Sequence, residues 1–493
     1  MRFEEKKTCI ECMKHTASCG GNDICNPARD NLRRYQGIRF TSDGFDCAFP
    51  VCIDSHTVCS FGCLYCFAPN TLQGRERTKL TIGQTSLREV ERIFSGKSKS
   101  KAINSYRKAL KYDNLNKNGY PCAVQLGALT DPFDNIERQQ GWFLKFAEIV
   151  KKYNQPVKIS TKGNLFLEQE YLDAIADRPE LFFVTYSIIT PDDKMIKKIE
   201  PRAPNATERI QCIQNLTNIG VKVGLRMRPI LPGVSDSTPD YPEAYKTLIQ
   251  RCVKAGIQAI SYEVAFTPGR MTPDLKRRWK QIEKETKIPI INLYKNMGSN
   301  QACMRPSHKW TEQIMYAIRD EARKHNLTIG VSDPAWKQLT EVGCCCGITE
   351  DDPVFGNWQK ESASNQLLIA KNTGKILTAK DITPEWAYTQ DIQGIVNTGP
   401  GPKSKWDRTH IMWADKLNLT WNDISKERSP LQYFQGALIP IKRDKDGELS
   451  YKYIGLKPKH PKNTKWWNIK QKEGGNKDVK TNKTNASTPR IIS

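Results

Sequence analysis

The sequence predicts an α/β fold: a partial (β/α)6 TIM-like barrel with an N-terminal Cys-rich segment and a C-terminal accessory domain. Three observations carry this. From residue 47 to about 340, short apolar runs alternate with longer amphipathic runs, the signature of parallel βα units. The chain has 493 residues, enough for two to four domains and a sizeable core. The texture then changes at both ends: residues 1–46 are Cys-rich and polar, and residues after 340 carry several tryptophans and turn residues.

The elements follow in order. Apolar runs predict strands over 123–129, 157–160, 182–188, 221–227, 259–265 and 328–331, with a further strand before Cys59. Between them, helical periodicity predicts helices over 141–152, 168–175, 207–219, 244–255, 274–285 and 311–324. Thr207 and Glu208 supply helix-start chemistry near Ala206. Residues 1–46 hold too few apolar side chains for a core and are expected to need metal to fold. Residues 341–456 carry Trp358, Trp386, Trp406, Trp413 and Trp421 and the turn-rich Asn397-Thr398-Gly399-Pro400-Gly401-Pro402, and read as an accessory domain. Residues 457–493, rich in Lys, Asn and Thr, read as a basic disordered tail. Trp466-Trp467 in that tail can stack on bases among cations that hold phosphates, or pack on the accessory domain.

Composition narrows the partner. Lys and Arg total 76 against 53 Asp and Glu, a formal charge of +23. The tail supplies +8 of it, from ten Lys/Arg and two Asp/Glu, which leaves about +15 on the remainder. Such a surplus favours a polyanion, most simply nucleic acid; a basic proteome is the bland alternative. Hydrophobic content is 38% and mean hydropathy −0.60, and no apolar run reaches the ~18 residues of a membrane span. Met1 to Lys7 is charged and lacks the apolar core of a signal peptide. A cytoplasmic protein with no membrane partner is expected.

Sixteen cysteines without an export signal point to metal or catalysis. Cys59-Ser-Phe-Gly-Cys63-Leu-Tyr-Cys66 is decisive. Three thiolates on one short loop can grip three irons of a four-iron cluster, which leaves the fourth iron open. An open position marks a reactive metal site, by analogy with catalytic zinc. Gly62 lets the loop bend. A structural zinc loop is the competing reading, but zinc sites usually pair CxxC units and fit three-then-two spacing poorly. Cys9, Cys12, Cys19 and Cys25 form a second group, for which zinc and iron–sulfur both fit and in which His15 can replace one ligand. Cys344-Cys345-Cys346 with Cys303 is read as an auxiliary cluster. The alternatives are a thiol that donates a hydrogen atom to a substrate radical, and plain buried small residues.

The CxxxCxxC triad with Tyr65 resembles the radical S-adenosylmethionine (radical SAM) superfamily. The resemblance implies a [4Fe-4S] cluster on Cys59, Cys63 and Cys66, with SAM chelated at the open iron. It also implies SAM cleavage to a 5′-deoxyadenosyl radical, Tyr65 beside the adenine, and an electron donor such as flavodoxin or ferredoxin. Further blocks are Gly127-Ala-Leu-Thr-Asp131-Pro132-Phe133, Ile159-Ser160-Thr161-Lys162, Tyr186-Ser187-Ile188, Ile199-Glu200-Pro201-Arg202-Ala203-Pro204 with Arg209, and Arg228-Pro229-Ile230-Leu231-Pro232-Gly233. In this order, over about residues 47–265, they resemble the branch containing spore photoproduct lyase and "DNA repair photolyase"-like proteins.

Each block sits at the C-terminal end of a predicted strand, where barrel enzymes build their sites. Thr130, Asp131, Ser160, Lys162 and Ser187 are expected to reach the SAM ribose and carboxylate, with Lys162 as a point charge. Glu200, Arg202 and Arg209 read as an ion-pair network at the mouth or as SAM contacts. Arg226 and Arg228 alternate on one face of a strand and need an anion, SAM or a substrate phosphate. The branch's hydrogen-donating cysteine aligns with Ala128 here, and Cys122, about 20 Å along the strand, is too far to substitute. The function expected is hydrogen abstraction from a nucleobase in DNA, as repair or base modification, in a cytoplasm that can be a virus's host. An enzyme acting on RNA or a peptide is the first alternative, and a non-catalytic nucleic-acid-binding metalloprotein the second.

Overall fold

The computed structural model describes residues 33–35, 37–41, 47–70, 82–97, 99–268, 271–296, 303–306, 308–356, 362–382, 391–392, 411–412, 421–425, 429–434 and 436–455. Cys9, Cys12, Cys19, Cys25, the residues from 457 on, and Trp358, Trp386, Trp406 and Trp413 lie outside them.

Eight strands form one sheet in chain order: β1 (Ile38–Phe40), β2 (Val51–Ile53), β3 (Val124–Leu126), β4 (Val157–Thr161), β5 (Phe182–Ser187), β6 (Lys222–Ile230), β7 (Ala259–Val264) and β8 (Thr328–Val331). β1 pairs antiparallel with β2; all other neighbours are parallel. β1 and β8 are unpaired edges, so the barrel is open. The six predicted strands are present, and the strand before Cys59 adds the seventh parallel member. The run 123–129 yields only three strand residues, because Gly127 turns the chain at φ +81°.

Helices cover the outside: α1 (Leu87–Ser95), α2 (Lys101–Ala109), α3 (Asn135–Gln140), α4 (Trp142–Lys152), α5 (Gln169–Ala176), α6 (Asp193–Ile199), α7 (Ala206–Asn218), α8 (Ala244–Lys254), α9 (Pro273–Thr286) and α10 (His308–Lys324). The six predicted helices correspond to α4, α5, α7, α8, α9 and α10. α7 starts on a capping box: the Asn205 side chain accepts from the Glu208 N–H, and the Glu208 carboxylate accepts from the Asn205 N–H.

Strand period two divides the sheet. Ile159, Val184, Val223, Leu225 and Ile260 turn outward into the main core under the helices. Inward-facing Ala123, Phe183 and Ala259 join a separate cluster with Ala48, Phe49, Cys344, Cys346, Ile348, Val354 and Phe355. Residues 344–355, assigned from sequence to the accessory part, therefore plug the floor of the barrel at the start of its strands. The plug lies so close to β8 that a Cβ on Gly330 would stand 2.6 Å from the Cys344 carbonyl oxygen. A smaller second core gathers Leu367, Leu377, Trp421, Leu431, Phe434, Leu438 and Tyr451 around the hairpin of Leu438–Arg443 and Leu449–Tyr453. No helix among the described residues is long and apolar enough to cross a membrane.

Candidate functional site

The loop of Cys59, Cys63 and Cys66 leaves the C-terminal end of β2. Its backbone is held from several elements at once. The Ser60 N–H donates to Asp134 Oδ2 at 2.7 Å, and the Leu64 N–H donates to the Ile199 carbonyl at 3.0 Å, at the end of α6. The Cys66 N–H closes a turn onto the Cys63 carbonyl at 3.1 Å. From α9, Arg278 Nη1 donates to the carbonyls of Cys66 (2.8 Å), Leu64 (3.1 Å) and Cys63 (3.5 Å). Gly62 has φ +66°, so the bend favours glycine, and its bare Cα lets Arg202 Nη2 approach within 2.7 Å of where a Cβ would stand. The three cysteines share one small cluster with Phe61, Tyr65 and Ala203.

Beneath the loop, Asp134 caps α3 by accepting from the Ile136 and Glu137 N–H groups. His56 Nε2 lies 3.3 Å from Asp134 Oδ1, both side chains being buried. Burial opposes both charges, but the pairing wins: it raises the imidazole pKa and holds the Asp134 carboxyl below its usual range. Glu200 and Arg209 form a second support, an ion pair at 2.5 Å with both side chains fully buried. The other Glu200 oxygen accepts from the Tyr65 hydroxyl, and Arg209 also donates to the carbonyls of Ser187 (2.8 Å) and Pro204 (2.5 Å). Of the two readings for Glu200 and Arg209, the geometry takes the ion-pair network, with Tyr65 tied to it.

The other predicted residues separate into two groups. Asp131 spends both oxygens within the chain, accepting from the Phe133 N–H (3.0 Å), Thr161 Oγ1 (2.7 Å) and the Lys162 N–H (2.6 Å). Thr130 and its neighbours Ala128 and Leu129 donate backbone N–H groups to Asp54 Oδ1 at 2.8–3.2 Å. Ser160 Oγ bonds Lys158 Nζ and lies 3.1 Å from Thr185 Oγ1. Arg228 meets Glu263 at 2.7 Å, so its anion comes from the chain itself. Lys162 Nζ stands 5.9 Å from the Tyr65 ring centre, at the edge of cation–π range. Arg202 differs: its Nε and Nη2 are buried and make no hydrogen bond among the described residues.

Sequence reasoning missed Asp54, His56, Asp134, Glu263 and Arg278. Each acts through contacts across 15 to 215 residues of chain, and no local spacing announces them. Of the auxiliary set, Cys344 and Cys346 are buried and Cys345 is partly exposed. The backbone of Cys303 lies in a short strand paired with Pro268.

The donor set suits an iron–sulfur cluster. Burial, then the carboxylates of Asp134 and Asp131, push the Cys59 thiol well above its ordinary range. Burial, then Glu200, raises Cys63 to about 12. Lys162 and Arg209 favour the Cys63 thiolate and the Phe61 backbone favours that of Cys59, but burial and the carboxylates outweigh them, so deprotonation calls for a cationic centre. Among the described residues, no three His, Cys, Asp or Glu side chains stand close enough to hold a single metal ion. A four-iron cluster asks for something else, since each thiolate takes a different iron. The unpartnered Arg202 guanidinium beside Gly62 then offers a fork to a carboxylate.

Residues 53–244 match the family model described as the radical SAM superfamily. A curated relative, the uncharacterized protein ORF301 of Acidianus two-tailed virus, is 25% identical over 113 residues, which is 23% of this chain and 37% of that protein. The aligned region thus spans little more than a third of that relative. Among solved structures, spore photoproduct lyase complexed with dinucleoside spore photoproduct shows 16% identity and a TM-score of 0.44, over 64% of this chain and 85% of that one. Coproporphyrinogen III oxidase from Escherichia coli shows 9% identity and a TM-score of 0.26, over 45% and 48%.

Proposed function

We propose that this radical SAM enzyme holds a [4Fe-4S] cluster on Cys59, Cys63 and Cys66 and acts with SAM on a nucleobase in DNA. The observation that carries the reading is the loop itself. It presents three thiols at the C-terminal end of a barrel strand, with its backbone pinned by Asp134 and Arg278 and the unpartnered Arg202 beside it. When bound, the cluster and SAM supply a 5′-deoxyadenosyl radical that takes a hydrogen atom from the substrate.

The chain's own residues do the rest. Arg202 offers Nε and Nη2 to the SAM carboxylate as a bidentate donor. Tyr65, tied to Glu200, presents a fixed ring face for the adenine, and Lys162 adds positive charge over that ring. Asp131 and Asp54 shape the loops after β3 and β4 that wall the pocket. The formal charge of +23 supports a polyanionic substrate, and a base within a duplex would have to be flipped out or met single-stranded. By the resemblance, Ala128 aligns with the branch's donor cysteine, and Cys122 is buried near the floor beside the Ala48 carbonyl. This favours base modification, or repair by a different hydrogen donor.

The test is 5′-deoxyadenosine formation by anaerobically reconstituted protein with dithionite and SAM, with and without DNA, set against Cys59→Ala. Product that depends on Cys59 and rises with DNA supports the reading, and mass spectrometry of the digested DNA identifies the altered base. Product indifferent to DNA moves the substrate to RNA or peptide. No product from a loaded, reducible cluster overturns the enzyme reading.

A further inference from the structure

Above the floor plug, the inner face of the sheet carries three cations against one carboxylate. Lys158 on β4 is fully buried; its ammonium donates to Ser160 Oγ and makes no ion pair among the described residues. Two strands away on β6, Arg226 and Arg228 face the same interior. The register places Arg226 level with Ser187 on β5 and Ser261 on β7. Arg228 is satisfied by Glu263 at 2.7 and 2.9 Å. Arg226, which is partly buried, makes neither a hydrogen bond nor an ion pair among the described residues. The plug's carboxylate at this strand, Asp352, is paired with Lys222 at the strand's start. The plug's nearest groups are Cys345, whose carbonyl accepts from Ser261 Oγ at 2.6 Å, and Cys346.

Burial and the neighbouring Arg228 bring Arg226 down to about 10, and burial lowers Lys158 as well. The groups that offset these two cations are the Cys346 and Cys345 thiols and, for Arg226, Glu263, which already pairs with Arg228; two cations so thinly compensated are costly in a protein interior unless an anion joins them. Hydroxyls surround them: Ser160, Thr185, Ser187 and Ser261 all turn to this interior and are nearly inaccessible to solvent. Guanidinium fork, ammonium and hydroxyl donors together are the chemistry that binds an oxyanion.

We propose that Arg226 and Lys158 form an oxyanion subsite in the barrel interior, built for one phosphate or carboxylate group of the substrate. Arg226 supplies the planar fork, Lys158 the buried point charge, and Ser187 a flanking hydroxyl; Ser261 spends its proton on the Cys345 carbonyl. As a substrate subsite it rests on the functional reading above, but anion binding itself needs neither SAM nor turnover.

The test is calorimetric titration of the reconstituted protein, without substrate, using inorganic phosphate and, separately, malonate as probes. Wild type should bind one anion saturably. Arg226→Gln should weaken binding at least tenfold, the loss expected of one charge-assisted hydrogen bond, and Lys158→Met should weaken it too. Arg226→Lys keeps the charge without the fork and should fall between. Lys254→Gln, an exposed lysine on α8, should change nothing. Preference for phosphate over malonate points to a nucleotide group, and the reverse to a carboxylate. No saturable binding, or binding that Arg226→Gln leaves intact, overturns the proposal. No anion binding by wild type that still forms 5′-deoxyadenosine would sink the subsite alone, whereas binding by wild type without that product would sink the enzyme reading alone.

Discussion

Replacing Arg278 with methionine tests how the cluster loop is held. Arg278 is 1% exposed and lies 212 residues from Cys66, yet Nη1 donates to the carbonyls of Cys66 and Leu64 at 2.8 and 3.1 Å, with Cys63 at 3.5 Å. One terminal nitrogen carries two hydrogens, so two of the three contacts count as full bonds. Charge-assisted hydrogen bonds are each worth about 1.5–3 kcal/mol, which gives about 3–6 kcal/mol for the pair. The Asp274 partner, at 2.9 Å, has a side chain 43% exposed and returns to water at little cost. Methionine keeps the stem and fills most of the space, so the lost energy falls on the loop that carries Cys63 and Cys66. The assay is iron and sulfide per chain after anaerobic reconstitution, the rate of iron loss to a chelator, and a urea melt of the same sample. Arg278→Met should load poorly and lose iron faster, and Arg278→Lys should recover part of both. If Arg278→Met holds iron as well and as long as wild type, with an unchanged melt, then the contacts to these carbonyls do not secure the loop.

Three further outcomes follow from buried charges. Glu200→Gln breaks a fully buried ion pair and should cost about 3–5 kcal/mol in urea unfolding; a loss under 1 kcal/mol would show that Arg209 is satisfied by the Ser187 and Pro204 carbonyls alone. Asp54→Ala strips one acceptor from three backbone N–H groups, and at about 1–3 kcal/mol per orphaned donor it should destabilise the fold more than Asp54→Asn, which keeps an acceptor oxygen. Glu137 is buried, and burial raises its carboxyl from 4.5 to about 8, so the folded chain prefers it neutral. That contribution is fully present below 4.5 and is lost as pH rises towards 8, with a ceiling of roughly 5 kcal/mol. Urea midpoints from pH 5 to 8.5 should therefore fall more steeply for wild type than for Glu137→Gln, and parallel slopes would refute the assignment.

Much of the barrel was legible because its strands are uniformly apolar outward and because loops interrupt them at regular intervals. Val184 and Ile260 reveal a strand without any knowledge of their neighbours. Two errors have plain causes. The run 123–129 is apolar throughout, yet Asp54 draws the N–H groups of 128–130 out of the ladder and Gly127 turns the chain. α1 and α2 were missed because their sequences are highly charged and short, and only tertiary packing of Val90, Ile93 and Phe94 makes the first of them secure. Within the segment read as lacking a core, Ile38–Phe40 is an edge strand, since pairing with β2 supplies the burial that its own sequence cannot. The triad was legible because its information is local spacing. Asp134, Arg278 and Glu263 were not, because a side chain that reaches across the fold leaves no periodic trace.

The interior of the barrel ties these threads to function. Inward positions near the strand starts are small or aromatic: Ala123, Phe183 and Ala259. They accept the plug of residues 344–355, and Gly330 admits it at backbone distance. Further along the same face the residues become Lys158, Ser160, Thr185, Ser187, Arg226 and Arg228, a change from packing to hydrogen bonding within two or three positions of each strand. Beyond them, at the strand ends, lie the cysteine loop and Arg202. The order is therefore a closed floor, a cationic middle and a cluster loop at the mouth. Highly reactive intermediates require exclusion of water and a held substrate. The plug closes one end, and the middle layer offers charge to hold what enters from the other. The plug and Arg278 both come from chain beyond residue 244, outside the shared domain of residues 53–244. Residues outside the family segment thus shape both the interior floor and the support of the cysteine loop, and substitutions there should alter substrate choice and cluster retention even where Cys59, Cys63 and Cys66 are untouched.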